Sequence, residues 1–277
     1  MSIDEIIQHA LLEDVGTGDH TSLSTIPKEA QSIAKLVIKE AGILAGMEVA
    51  KSVFMQVDSS LIFEKLVNDG AQVNPGDIVF RISGSSISIL TGERLALNFM
   101  QRMSGIATAT ARLVKIVEGT PTRILDTRKT TPLLREFEKY AVKIGGGNNH
   151  RFGLYDMIMI KDNHIDFAGG IEKAIDSCKH YLEKNQLNLK IEIEVRNENE
   201  LDQVLKKGGV DRIMLDNFTP IQLKKALQTI DSQYETEASG GITEQTIRSF
   251  AETGVDFISV GALTHHIKSL DMSLVSN

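Results

Sequence analysis

Apolar and polar positions follow two rhythms along this chain. Up to about residue 110, strands and helices are mixed. Ile33–Lys39 (IAKLVIK) reads as a strand, Gly42–Gly46 as a turn, and Met47–Gln56 as a helix by its period. Phe63–Val67 and Ile78–Ser83 read as further strands. Thr91–Glu118 reads as a long helix with Leu95, Phe99, Met103 and Ile106 on one face. From about residue 120, short apolar runs alternate with helical patterns. The runs are Arg123–Leu125, Val142–Ile144, Met157–Ile160, Ile191–Val195, Arg212–Leu215, Tyr234–Ala238 and Phe257–Val260. Helix starts between them are marked by Asn197 with Glu200, by Thr219 followed by Pro220, and by Thr243. Strands alternating with helices predict parallel βα units, and seven such units suggest a barrel, complete or incomplete. An open doubly wound sheet is the alternative, but no G-x-G-x-x-G follows the first strand, which argues against a dinucleotide fold.

Composition narrows this picture. With 277 residues there is room for one large domain or two modest ones, and 42% hydrophobic with 24% charged residues is ordinary for a soluble globular protein. No apolar run is long enough for a membrane span, so none is expected. The start, MSIDEIIQHALLEDVG, is acidic and lacks the segments of a signal peptide. Cys178 is the sole cysteine, so no internal disulfide can form and the cytosol is the expected compartment. The nine methionines, His9, His20, His180 and Cys178 take structural readings. Gly70, Val73, Gly76 and Asp77 resemble a biotinyl/lipoyl carrier pattern. No exposed Met-Lys-Met-like hairpin follows, so the segment reads as β-rich scaffold.

Charge then points to a site. The net charge of −7 argues against a nucleic-acid binder. Between Arg123 and Lys161, however, eight Lys and Arg stand against four Asp and Glu, a local +4 that leaves −11 elsewhere. These cations cluster where predicted strands end, and that is where an α/β barrel collects its functional groups. The first three ends carry Arg128, Lys129, His150, Arg151 and Lys161. So many cations around one mouth require a ligand of high negative charge. The next two ends carry Glu194 and Asp216, a pair suited to Mg²⁺, ribose hydroxyls or a developing cation. The last two, Ser239-Gly240-Gly241 and Gly261-Ala262-Leu263, precede helix starts and can hold a phosphate through backbone N–H groups. A phosphoribosyl diphosphate donor and an acidic acceptor fit this set. Each residue also has a plainer reading. Arg128, Lys129 and Arg151 could be surface ion pairs, Lys161 a loop lysine, and His150 a structural histidine. Glu192, on the same strand face as Glu194, could neutralise a neighbouring lysine. Asp162 and His164 would flank the site. His265-His266 looks like a metal pair but lacks an evident third ligand, so a solvated helix start is the reading taken.

LLEDVGTGDHTS at 11–22, GERLALNFMQRMSGIATAT at 92–110, DTRKTTPLLREFEKYAVKIGGGNNHRFGLYDMIMIKDNHI at 126–165, IEIEV at 191–195, LDNF at 215–218 and EASGGI at 237–242 together resemble the quinolinate phosphoribosyltransferase family, also called nicotinate-nucleotide pyrophosphorylase (carboxylating). The likeness runs over nearly the whole chain. It implies a type II phosphoribosyltransferase that makes nicotinate mononucleotide, diphosphate and CO₂ from quinolinate and phosphoribosyl diphosphate with Mg²⁺, in NAD biosynthesis. It implies an N-terminal α/β sandwich domain over 1–112 and an incomplete α/β barrel of seven or so strands over 113–277, with the last residues, about 266–277, able to pack back on the first domain. It places quinolinate binding on Arg94, Arg128, Lys129, His150, Arg151 and Lys161. Donor binding and Mg²⁺, held directly or indirectly, fall on Glu194 and Asp216. The phosphate loops fall on Ser239, Gly240, Gly241, Gly261, Ala262 and Leu263, and the catalytic set is Lys129, Lys161, Glu194 and Asp216. It also implies a homodimer, or a hexamer built from it, with Arg94 reaching across the interface. Three competing readings are weighed against it. A molybdenum-transport-linked pyrophosphorylase would have an altered acceptor pocket. A metal-dependent barrel aldolase would want a lysine in an apolar neighbourhood. A non-catalytic anion-binding barrel would not need both Glu194 and Asp216.

Overall fold

The computed structural model describes residues 2–276. In chain order its first elements are α1 (Ile3–Val15), α2 (His20–Thr25), β1 (Gln31–Ile38), β2 (Gly42–Ile43), α3 (Met47–Val57), β3 (Ile62–Lys65), β4 (Gln72–Val73), β5 (Ile78–Ser85) and α4 (Ser86–Ile116). Then follow β6 (Arg123–Leu125), α5 (Arg135–Ile144), β7 (Ile158–Ile160), α6 (Asp162–Ala168), α7 (Ile171–Lys184), β8 (Ile191–Val195), α8 (Glu198–Lys207), β9 (Arg212–Asp216) and α9 (Pro220–Ile230). The last are β10 (Glu235–Ser239), α10 (Ile247–Ala251), β11 (Phe257–Ser259), α11 (Ala262–His265) and β12 (Met272–Ser276). Among the described residues no helix is long and apolar enough to cross a membrane.

The chain divides into two units, and the division is not the single cut after residue 112 expected from the sequence. The first unit takes residues up to Ala111, then Thr130–Gly146, then the chain from Ala262 on; the second takes Arg112–Lys129 and Gly147–Gly261. The first unit holds an antiparallel sheet in the order β12-β1-β5-β3. Phe54, Phe63 and Phe80 pack around one point, with Phe63 and Phe80 ring centroids 4.5 Å apart. The C-terminal β12 pairs with β1, Leu274 opposite Leu36, so the chain end does return to this unit. The carrier-like segment forms turns. Gly70 and Gly76 have φ of 89° and 95°, and the Asp77 carboxylate accepts the Asn74 N–H at 2.8 Å.

The strand expected at Val142–Ile144 is instead the end of α5. Phe137, Ala141 and Val142 form a buried helical stripe, and Phe137 stacks on Phe99 of α4 at 4.9 Å. The short apolar run was therefore one turn of an amphipathic helix, an ambiguity that three residues do not resolve. The contact with α4 also explains why Thr130–Gly146 belongs to the first unit.

The second unit is a parallel sheet in the order β6-β11-β10-β9-β8-β7. Its last strand in sequence, β11, pairs with its first, β6, with Phe257 opposite Arg123. That return makes it a barrel rather than a doubly wound sheet. Six strands are present where about seven were expected. The seventh place is marked by one isolated parallel bridge, Leu125 to Asn148, so the barrel is incomplete there. Its outer face is apolar in the usual way, through Ile193, Val195, Ile213 and Leu215, all essentially buried.

Gly105, inside α4, is explained by the returning tail. A Cβ there would meet the Lys268 carbonyl oxygen and lie 3.1 Å from Ser269 Cα, while Leu270 N–H donates to Gln101 O at 2.9 Å. Gly105→Ala gains about 1 kcal/mol of helix propensity but drives backbone into backbone, which costs about 1–3 kcal/mol. A net loss of stability is expected in urea unfolding; a stabilised variant would refute this account of the tail.

Candidate active site

The C-terminal ends of β7, β8 and β9 bring three charges together. Lys161 follows β7, and its Nζ donates to Glu194 Oε2 on β8 at 2.9 Å. Lys161 also caps α6, where its N–H donates to His164 Nδ1 at 2.9 Å. Asp216 ends β9. Its carboxyl is pushed above the usual range by burial first, then by the charges of Glu194 and Asp162, against the pull of Lys161 and Lys129. Five of the expected or flanking residues, Lys129, Lys161, Asp162, Glu194 and Asp216, thus share one electrostatic neighbourhood. The next residue, Asn217, sits at φ 58°, and its amide donates to the Asp216 carboxylate. Gly240, after β10, packs against it. A Cβ on Gly240 would strike the Asn217 side chain and lie 2.9 Å from its backbone nitrogen. Glycine is needed there for space as well as for its φ of 96°.

A second group lies where the chain leaves β6 and where it crosses the open seventh place. Arg128 and Arg151 are both half-buried. Burial, then the charge of Arg128, pulls the Arg151 guanidinium below its usual range, against Glu192 and Asp156. Arg151 Nη1 donates to Met157 O at 3.1 Å, whereas Arg128 Nε is buried without a hydrogen-bond partner. Two guanidinium groups that repel each other, one with an unpartnered buried donor, are chemically suited to receive an anion.

Beneath them lies a buried ionic cluster. His150 Nε2 is 3.1 Å from Glu192 Oε2 and 3.4 Å from Glu237 Oε2, with both carboxylates fully buried. Burial pushes the imidazole pKa down, but hydrogen bonding and charge from Glu192 and Glu237 outweigh it and carry the value up to about 9. His150 Nδ1 accepts the Arg151 N–H at 2.7 Å, an arrangement that requires the ring's hydrogen on Nε2. The two indications conflict, and the backbone geometry decides for the neutral ring in this conformation, because a proton on Nδ1 would confront that amide. Arg212 completes the cluster, 3.2 Å from Glu237 and 4.0 Å from Glu192. His150, Glu192 and Glu237 could in principle hold a metal ion. Arg212 already supplies the positive charge that a metal would bring.

Of the other expected residues, Ser239, Gly240 and Gly241 close β10, and Gly261 directly precedes α11, which opens with Ala262 and Leu263. Arg94 lies on α4 in the first unit and is exposed. His265 and His266 stack edge to face at 4.8 Å and form no three-ligand group among the described residues. Burial raises the Cys178 thiol, which makes it a poor nucleophile. The sequence reading missed Glu237, Arg212 and Asp126 as parts of the site's support. Glu237 and Arg212 had a signal, because a charged residue inside an apolar strand run must find a partner.

Residues 19–104 match the family model for the quinolinate phosphoribosyl transferase N-terminal domain, and residues 106–275 match that for its C-terminal domain. The chain is 46% identical over 287 residues to "Quinolinate phosphoribosyltransferase [decarboxylating] 2, mitochondrial" of Nicotiana glauca, covering 98% of this chain and 81% of the relative. It is 41% identical over 274 residues to the probable carboxylating nicotinate-nucleotide pyrophosphorylase of Bacillus subtilis, covering 99% and 93%. The crystal structure of NadC from Streptococcus pyogenes superposes with a TM-score of 0.94 at 41% identity, covering 99% and 97%.

The two glycines after β10 make a paired test. Gly241 has φ 61° with open space around it, whereas Gly240 adds the collision with Asn217. Gly241→Ala should cost about 1 kcal/mol for its backbone conformation, and Gly240→Ala about 1–3 kcal/mol more. Urea midpoints that fall equally would contradict the close approach.

Proposed function

We infer that this chain, which belongs to the quinolinate phosphoribosyltransferase family, transfers the phosphoribosyl group of phosphoribosyl diphosphate to quinolinate with loss of CO₂. The products are nicotinate mononucleotide and diphosphate, within NAD biosynthesis. The observation that carries this reading is the Arg128–Arg151 pair, half-buried and mutually repelling, with one donor left dry. A planar dicarboxylate supplies two negative charges to such a pair, in a geometry suited to guanidinium forks.

The chemistry follows from the two halves of the site. Arg128, Lys129 and Arg151 hold the carboxylates and align the ring nitrogen of quinolinate with the anomeric carbon of the donor. Lys161 stands between this cationic side and Glu194, to which it is bound. As the bond to diphosphate loosens, positive charge develops on the ribose, and the facing carboxylates Glu194 and Asp216 stabilise it. Bond formation makes the ring nitrogen cationic. The ring then accepts the electron pair of the adjacent carbon–carboxylate bond, CO₂ departs, and a proton takes its place. Burial and the nearby charge of Glu194, which together raise Asp216, fit a hard dication held by these oxygens, and Mg²⁺ there would neutralise the departing diphosphate. Phosphate of the donor falls to Ser239, Gly240, Gly241, Gly261, Ala262 and Leu263, the glycine-rich ends of the last two strands. Arg94, exposed on α4, is assigned to the acceptor pocket of a partner subunit in a homodimer. The free cysteine and the absence of a spanning helix among the described residues support a cytosolic site of action, although the N. glauca relative is named as mitochondrial.

The direct experiment mixes the protein with quinolinate, phosphoribosyl diphosphate and Mg²⁺ and follows nicotinate mononucleotide and CO₂ together. Equal rates that vanish without any one component are expected; donor binding without either product would overturn the acceptor assignment. Arg128→Ala should lower kcat/KM for quinolinate about a hundredfold, the loss of one charged hydrogen-bonding partner. Near-wild-type kcat/KM would remove Arg128 from the site. For the shared site, inactive Arg94→Ala and Arg128→Ala chains are mixed after reversible dissociation. Recovery of up to about a quarter of wild-type activity is expected if one intact site forms per mixed dimer, and no recovery would confine the site to one chain.

A further inference from the structure

We propose that His150 is a positioning residue that acts through Arg151, braced from below by Glu192, Glu237 and Arg212, and that it does not itself hold the acceptor. The proposal rests on the reading of Arg151 as an acceptor-binding cation.

Both ring nitrogens of His150 face protein groups. Nδ1 accepts the Arg151 N–H at 2.7 Å, and Nε2 faces Glu192 at 3.1 Å and Glu237 at 3.4 Å. The residue is only 8% exposed. Its own N–H donates to Asp126 Oδ1 at 2.8 Å, which ties it to the end of β6. Residue 150 is thus held by groups from β6, β8 and β10 at once, and it passes that constraint to the next residue in the chain. No strand of its own could do this, because the barrel carries only an isolated bridge at Asn148.

The brace has a floor. Arg212 donates to Glu237 at 3.2 Å and to Glu235 at 3.1 Å. Its guanidinium carbon lies 4.2 Å from the centre of the Phe257 ring, and that of Arg123 lies 4.2 Å from the same centre. Its one cation–π contact, together with the bonds to Glu237 and Glu235, leaves Arg212 little freedom. The line from Phe257 through Arg212, Glu237 and His150 therefore ends on the Arg151 backbone.

A restoring force is needed at Arg151. Arg128 repels it, and an unbraced loop would relieve that repulsion by moving away. Acceptor binding would then have to bring the two guanidinium groups back together. Holding them close to each other in advance removes that cost from binding.

The test uses the full chain, with steady-state KM for each substrate and a thermal midpoint for every variant. Glu237→Gln keeps the shape of a buried group and changes how it holds His150, Arg212 and Ser259. It should raise the quinolinate KM about tenfold and leave the phosphoribosyl diphosphate KM within about twofold. His150→Asn, whose amide oxygen falls near the place of Nδ1, should retain more quinolinate affinity than His150→Gln. The deciding measurement is a double-mutant cycle. In an Arg151→Ala background, Glu237→Gln should have no further effect on the quinolinate KM. Effects that multiply independently, or His150→Gln outperforming His150→Asn, would overturn the proposal, and the His150 pair decides alone if Glu237→Gln does not fold. If Arg151→Ala itself leaves the quinolinate KM unchanged, the acceptor-site reading fails and the brace with it. If Arg151→Ala raises that KM and Glu237→Gln does not, only the brace fails.

Discussion

Repulsion between like charges, held in place before any ligand arrives, is the constraint on which the rest of this molecule depends. Burial first, then the charge of Arg128, pulls the Arg151 guanidinium down, and burial first, then the charge of Glu194, pushes the Asp216 carboxyl up. Left to themselves, both pairs would separate. Each is kept together by something rigid below it: hydrogen-bonded parallel strands for the carboxylates, and the buried ionic cluster for the arginines. The barrel converts backbone hydrogen bonds into the close placement of charges that no side chain would choose.

This explains why the barrel interior departs from the usual filling of Val, Ile and Leu. Glu192, Arg212 and Glu237 lie where apolar side chains would pack, and they are buried almost completely. Such groups add little stability. Replacing a buried ion pair by well-packed apolar residues is often neutral or favourable, whereas removing one partner alone is strongly unfavourable. The burial of Glu192 and the charge of Glu237 raise the Glu192 carboxyl, a sign of the strain that the cluster carries. Apolar contact between the outer strand faces and the helices compensates for it, through residues such as Ile193 and Ile213.

Much of this was legible in the sequence, for definable reasons. Six of the seven expected strand runs are strands, because each couples an apolar stretch of three to five residues with a following turn and helix, and two of those helices, α8 and α9, open on a side-chain cap. The run at Val142–Ile144 failed because it was too short to separate period 2 from period 3.6, and because Phe137, five residues earlier, belongs to the same helical stripe. Lys161, Glu194 and Asp216 were legible as candidates because they sit at strand ends, and Lys129 because it lies in the loop that follows β6. Arg151 was legible only through its place in a dense cationic block, since the chain around it is loop. Glu237 and Arg212 were passed over because reading the ends of strands ignores what lies one or two residues deeper. Nothing in the sequence alone couples Thr130–Gly146 to the first unit, since that depends on Phe137 meeting Phe99.

The block at 126–165 then becomes intelligible as a mechanical unit as well as a chemical one. Asp126 holds the His150 backbone, Arg128 opposes Arg151, and Lys161 closes on Glu194. The residues between them are tied by partners of their own: Thr131 N–H donates to Glu138 at 3.2 Å, and Arg102 reaches both Thr131 and Glu138. A motif usually read as a row of ligand-binding side chains therefore spends many of its members on holding the others still. That division follows from the charge problem. Every cation added to this block also pushes its neighbours away, so a segment this rich in cations needs residues whose part is to hold the others in place.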